Sequence, residues 1–102
     1  MVRGWFVGNF SPVAFKTEAV EVAVREYKSG DVEGKHFHNI ATEVTLIYKG
    51  RVEMNGVQYR DGQIIVLNPG EATDFRSLTD SITVVVKVPA VANDKYPMRE
   101  NA

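Results

Sequence analysis

The chain has 102 residues, no cysteine and nearly balanced charge, with 12 Lys and Arg against 13 Asp and Glu. A chain of this length makes one domain with a modest core, where a partner subunit commonly helps, so a homodimer is expected. The interspersed charges argue against a nucleic-acid face or a polybasic membrane patch, and the lack of Cys rules out disulfides, thiolate catalysis and Cys-based zinc sites.

No apolar run approaches the ~20 residues of a membrane span, and the N-terminal stretch has no leader-like pattern. The expectation is therefore a soluble, cytoplasmic protein with no membrane partner. Residues 1–19 include WFVGNFSPVAF, which is apolar without a clean helical or strand period, so one or two short strands broken by Gly8 and Pro12 are expected. Trp5, Phe6, Phe10 and Phe15 should cap one end of the core or cover a neighbouring subunit. Residues 19–28, AVEVAVREYK, alternate strictly, with Val20, Val22 and Val24 on one face and Glu21, Ala23, Arg25 and Tyr27 on the other. Alternation alone does not choose the inward face. If the mixed face lines a cavity, Arg25 and Tyr27 become ligand contacts; if it meets solvent, they are ordinary surface residues.

Ser29-Gly30-Asp31 reads as a turn. In the strand that follows, His36 and His38 stand two apart and project to one side, with Phe37 opposite. Residues 39–42 are a short link, and TEVTLIY is a second strand whose Glu43 can return beside the two imidazoles. Two neutral nitrogens and one carboxylate suit a divalent transition metal such as iron, manganese, zinc, nickel or copper, with positions left open for water or substrate. A His-x-His pair by itself is a weak signal.

Val44, Leu46 and Tyr48 share one face of that second strand, and Glu43, Thr45 and Ile47 the other. Apolar groups on both sides place it inside a sandwich or at a subunit contact. RVEM-NG-VQYR is a hairpin around a type I′ turn, Asp61-Gly62 is another turn, and IIVL is a buried strand closed by Asn68-Pro69-Gly70. Residues 73–77 form a short strand and SITVVVKVP the last strong one, ended by Pro89. Residues 90–102 are expected to pack loosely or drape over a partner, with Asp94, Lys95 and Tyr96 able to order part of them. There is no amphipathic helix. Six to ten short strands separated by frequent turns imply an all-β barrel or double-sheet sandwich.

The spacing Gly30-x5-His36-x-His38-x4-Glu43-x6-Gly50 resembles the first conserved motif of the cupin family at each fixed position. Residues 62–77 resemble its second motif in part: Gly62 and Gly70 agree, Asn68 replaces a proline, Ser77 stands at the usual Asn, and Thr73 occupies the place of the fourth metal ligand. The resemblance covers about half the chain. It implies a single cupin domain over residues 1–102, with the double-stranded β-helix (jelly-roll) barrel and a metal held by His36, His38 and Glu43. It further implies a small-molecule ligand, with Arg25, Tyr27 and Thr73 as substrate contacts. The expected chemistry is metal-assisted isomerisation, epimerisation or lyase action on a small polar, carbohydrate-like molecule, with Tyr27, Glu71 or Asp74 as acid or base. Asp74 points away in a regular strand, and only a bulge would turn it inward. The alternatives are a binding or sensing cupin without catalysis, and a non-haem iron dioxygenase.

Overall fold

Alternation of apolar and polar residues between frequent turns builds strands throughout, and the described residues of the computed structural model, 3–97, contain eleven strands and no helix. They are β1 (Trp5–Gly8), β2 (Phe15–Lys16), β3 (Glu21–Tyr27), β4 (Val32–His38), β5 (Thr42–Lys49), β6 (Arg51–Met54), β7 (Val57–Arg60), β8 (Ile64–Leu67), β9 (Thr73–Ser77), β10 (Ser81–Val88) and β11 (Lys95–Pro97). The count exceeds the expected six to ten because β2 and β11 are only two and three residues long. No helix among the described residues is long and apolar enough to cross a membrane.

The strands form two sheets, in the orders β2-β1-β3-β10-β5-β8 and β11-β4-β9-β6-β7. Facing one another, they make the all-β, cupin-type double-stranded β-helix expected from the two motifs. Asn55 and Gly56 both have positive φ, 50° and 77°, as a type I′ turn requires, and Met54 pairs with Val57 across it. Gly50 also has positive φ, 98°, and a Cβ there would lie 2.6 Å from the carbonyl oxygen of Asp80, so only glycine fits where β5 passes into β6.

The barrel interior is polar at one end and apolar at the other. Along β5 the inward side chains run Glu43, Thr45, Ile47, and along β10 they run Ser81, Thr83, Val85, Lys87. At the apolar end, Ile47, Val52, Met54 and Phe75 form the buried cluster, with Tyr27 and Tyr59 packed against it. The Tyr27 and Phe75 rings lie 4.5 Å apart, centroid to centroid. At the polar end stand Glu43, His36 and Thr73, all buried.

The mixed face of β3 is the one that turns inward. Ala23 is fully buried, and Arg25 and Tyr27 line the interior, whereas Val24 on the valine face is 42 % exposed. Two sequence expectations fail for the same reason. Ile64 and Val66 of β8, expected to be buried, are 61 % and 52 % exposed, because β8 is an edge strand with nothing over its outer face. Phe15, expected to cap the core or cover a neighbouring subunit, does not cap the core: it is 64 % exposed on the edge strand β2.

Candidate metal centre

The site grows from strand β4. His36 and His38 both point inward and both are buried, at 8 % and 5 % exposure, with ring centroids 5.7 Å apart in an edge-on arrangement. Each ring is held by its Nδ1. His36 Nδ1 lies 2.9 Å from the carbonyl of Gly34, and His38 Nδ1 lies 3.0 Å from that of Asp94. A carbonyl oxygen only accepts, so Nδ1 carries the hydrogen in both rings, and in the neutral ring Nε2 is left as a lone pair. His38 Nε2 is buried with no hydrogen-bond partner among the described residues, and it faces Glu43 Oε1 at 3.4 Å.

Lone pair against carboxylate in a buried place is unfavourable unless a proton on Nε2 or a cation lies between them. Two donors bound at about 2.1 Å to a tetrahedral cation stand about 3.4 Å apart, so this pair is spaced as metal ligands are. The donor chemistry therefore fits a borderline divalent metal. As the side chains stand, no group of three or more His, Cys, Asp or Glu among the described residues closes into a ready cage.

The electrostatics lean the same way. Burial pushes the Glu43 carboxyl up, but contact with His38 and the positive Lys87 outweigh it, and the net shift is below the ordinary value. Burial lowers His36, which favours the neutral, ligating ring, although the Gly34 carbonyl opposes that shift. Lys87 is in register with Glu43 on one side and Glu21 on the other. Its Nζ sits 4.9 Å from the centroid of the Trp5 ring. Burial lowers Lys87 as well, against the pull of the two carboxylates.

The residues that sequence reading proposed separate into two groups. Arg25, Tyr27 and Thr73 line the same cavity as His36 and Glu43. Thr73, 2 % exposed, pairs directly with His36 across the β4–β9 ladder, but its hydroxyl donates to the carbonyl of Asp74 at 2.8 Å. Glu71 and Asp74 are not brought to the site. Glu71 is exposed on the loop before β9, where its Oε1 accepts from the backbone and side-chain nitrogens of Asn68. Asp74 points outward, as regular alternation requires, and accepts from the Asn55 backbone N–H at 2.8 Å, tying β9 to the hairpin.

Sequence reading missed two contributors. Glu33 stands three residues before His36, an odd spacing that should put it on the other face. A bulge changes the phase: Glu33 pairs with Phe75 and His36 with Thr73, three residues opposite two, so both face inward. Gly34 within the strand was the available signal. Glu33 Oε1 then receives the Arg25 guanidinium at 3.3 Å and the Tyr27 hydroxyl at 3.4 Å. Burial, followed by the charge of Glu33, raises the Tyr27 pKa, so its phenol stays protonated at neutral pH. The second contributor is Asp94, from the segment expected to pack loosely. Its buried carboxylate accepts from the backbone N–H groups of Asn39, Ile40 and Ala41 at 2.9 to 3.2 Å, while its carbonyl orients His38. Strand β11 then pairs with β4 in register with the histidines, Lys95 opposite His38 and Pro97 opposite His36.

The cavity lined by Arg25, Tyr27, Glu33, His36, Glu43 and Thr73 is small, about 50 Å³, and His38 and Asp94 line a separate one with Glu21 and Lys87. At roughly 10–15 Å³ for each water-sized occupant, the first holds an ion and the reacting end of a molecule, not a whole sugar ring.

No protein-family model matches this sequence, and no curated protein matches it. Solved structures do match the fold. An uncharacterised conserved protein with a double-stranded β-helix domain from Klebsiella pneumoniae superposes with a TM-score of 0.71 at 22 % identity, over 83 % of this chain and 74 % of that one. An RmlC-like cupin from Shewanella frigidimarina gives 0.69 at 17 %, over 76 % and 72 %. The DMSP lyase DddQ from Ruegeria pomeroyi gives 0.77 at 14 %, over 96 % of this chain and 51 % of the lyase. The chain shares the double-stranded β-helix fold of these structures.

Proposed function

We propose that the protein is a metal-dependent cupin that acts on a small polar, carbohydrate-like molecule by isomerisation, epimerisation or lyase chemistry. The observation that carries this reading is the buried, unpartnered Nε2 of His38 facing the Glu43 carboxylate, with the His36 imidazole beside them. His36, His38 and Glu43 would hold a divalent cation, and Thr73 offers no strong fourth donor. When bound, such an ion polarises a carbonyl oxygen.

The chain supplies the remaining steps. Glu33, steadied on Oε1 by Arg25 and Tyr27, keeps Oε2 to accept a proton from the carbon beside that carbonyl. Tyr27, held protonated, is a donor and not a base. Only the carbonyl end of the substrate fits the cavity, and Lys87 and Lys95, which also line it, are available to its oxygen atoms.

A second reading, ligand binding without turnover, is favoured by the small cavity and by Thr73 at the fourth-ligand position. Two measurements separate the readings. Elemental analysis after exposure to Fe(II), Mn(II), Zn(II), Ni(II) or Cu(II) should give one metal per chain, lost in His36→Ala and His38→Ala while circular dichroism keeps the β signature. A wild-type chain that takes up no metal refutes the metalloenzyme. With metal bound, NMR in D₂O should detect deuterium entering beside the carbonyl of aldose or uronate substrates, and should detect none in Glu33→Gln. Binding without exchange would establish the second reading.

A further inference from the structure

Two cavities lie at the polar end of the barrel, one of about 50 Å³ lined by His36 and Glu43, and one of about 150 Å³ walled partly by the segment from Pro89 to Lys95. They have two lining residues in common, Lys87 and Lys95. These lysines arrive from opposite sheets. Lys87 stands on β10 opposite Glu43 of β5, and Lys95 on β11 opposite His38 of β4, and residues paired across a ladder project to one face. The carboxylates of the smaller cavity already have partners. Glu33 binds Arg25 at 3.3 Å, and Glu43 faces His38 at 3.4 Å while its other oxygen accepts from the Thr45 hydroxyl at 3.2 Å. Glu21, the cross-strand neighbour of Lys87 on β3, lines only the larger cavity. Neither Lys87 nor Lys95 forms an ion pair among the described residues. Lys87 is half-buried, with Nζ over the Trp5 ring. Two ammonium groups at one junction, one of them partly withdrawn from water, favour an anion between them.

Taking the smaller cavity as the ligand site, as the reading above does, we propose that the ligand is an α-oxo acid with a hydroxylated chain. Its carboxylate lies between Lys87 and Lys95, its carbonyl in the smaller cavity and its chain in the larger one. Size sets the first two positions. At roughly 10–15 Å³ for each water-sized group, the smaller cavity admits only a few atoms beside an ion, so a carboxylate at its border and a carbonyl within it belong to neighbouring carbons. The larger cavity has room for roughly ten such groups, and Glu21 and Asn93 in its wall offer hydrogen-bond partners to hydroxyls.

Trp5 is the single tryptophan of the chain and lies against Lys87, so its fluorescence reports binding. Fructose differs from 2-ketogluconate in carrying a hydroxymethyl group for the carboxylate, and pyruvate keeps the oxo acid without the chain. In titrations of the full chain at constant ionic strength, with and without Zn(II), 2-ketogluconate should bind at least roughly tenfold more tightly than either analogue. Lys87→Met and Lys95→Met should each weaken 2-ketogluconate at least roughly tenfold and leave fructose unchanged, while Lys49→Met, which removes an exposed charge elsewhere, should weaken neither. Equal affinity for 2-ketogluconate and either analogue overturns the proposal, as does an acid that fails to bind or one weakened as much by Lys49→Met. Should Lys87→Met fail to fold, Lys95→Met, at an exposed position, decides. Metal uptake measured on the same protein tests the metalloenzyme separately. A chain that takes up no metal yet prefers the acid upholds this inference alone, and a metal-loaded chain indifferent to the carboxylate overturns this inference alone.

Discussion

Asp94 holds together the two strands that carry the candidate ligands. Its carboxylate closes the link between β4 and β5 by accepting three successive backbone N–H groups, and its carbonyl sets the tautomer of His38. Burial alone would raise this carboxyl; the backbone donors at Ala41, Ile40 and Asn39 bring it below its ordinary value. Asp94→Ala should cost about 2 to 4 kcal/mol in urea denaturation, because a buried donor and two flanking ones lose their acceptor. The same variant keeps the backbone carbonyl that orients His38 but frees the segment that carries it, so metal affinity should also fall, by up to roughly tenfold in calorimetric titration. The opposite change is expected at Thr73, which already faces inward opposite His36. Thr73→His should tighten metal binding by at least roughly tenfold by completing a four-donor set. Its crowding should cost about 1 to 3 kcal/mol of stability in the apo chain.

Two local departures from regular strand geometry decide what the elements present. The bulge in β4 lets Glu33 and His36 look into the same cavity and places the Gly34 carbonyl against His36 Nδ1. The glycine between β5 and β6 admits the chain beside Asp80 and Ser81, where a Cβ would meet backbone at 2.6 to 2.9 Å. Gly50→Ala combines strained φ with a clash that backbone cannot relieve. It should cost about 2 to 4 kcal/mol, read as a lowered denaturation midpoint. At Gly56 a Cβ meets nothing within 4 Å, so Gly56→Ala should cost only about 1 kcal/mol, from the φ of the turn alone. The contrast separates close approach from conformation as the reason for each glycine.

For the whole molecule, the three depressed groups set the response to acid. His36, Glu43 and Asp94 all have folded-state values below their ordinary 6.5, 4.5 and 3.8. In each case the unfolded chain takes up its proton first as pH falls, so acid favours unfolding. The contribution of these three groups should be full above pH 6.5, fall first as His36 protonates in the unfolded state, and fall again below 4.5 and 3.8. Urea titrations of the apo chain should trace these steps, and His36→Gln should remove the first one. Bound metal should hold the histidines unprotonated and move the onset of acid unfolding to lower pH.

Local pattern determined a good deal of this protein. Turn chemistry at Asn55-Gly56, alternation along β3 and β5, and the two-residue spacing of His36 and His38 follow from φ preference and the pleat, which act between near neighbours. The spacing motif therefore announced the barrel and singled out His36, His38 and Glu43 as candidate ligands. The tertiary structure decided what depends on contacts between distant strands. It turned the mixed face of β3 inward, which alternation leaves open by symmetry. It brought Glu33 into the cavity through a bulge and delivered Asp94 from the far end of the chain to the histidine strand. It left Glu71 and Asp74 outside, because their partners Asn68 and Asn55 hold them on the surface.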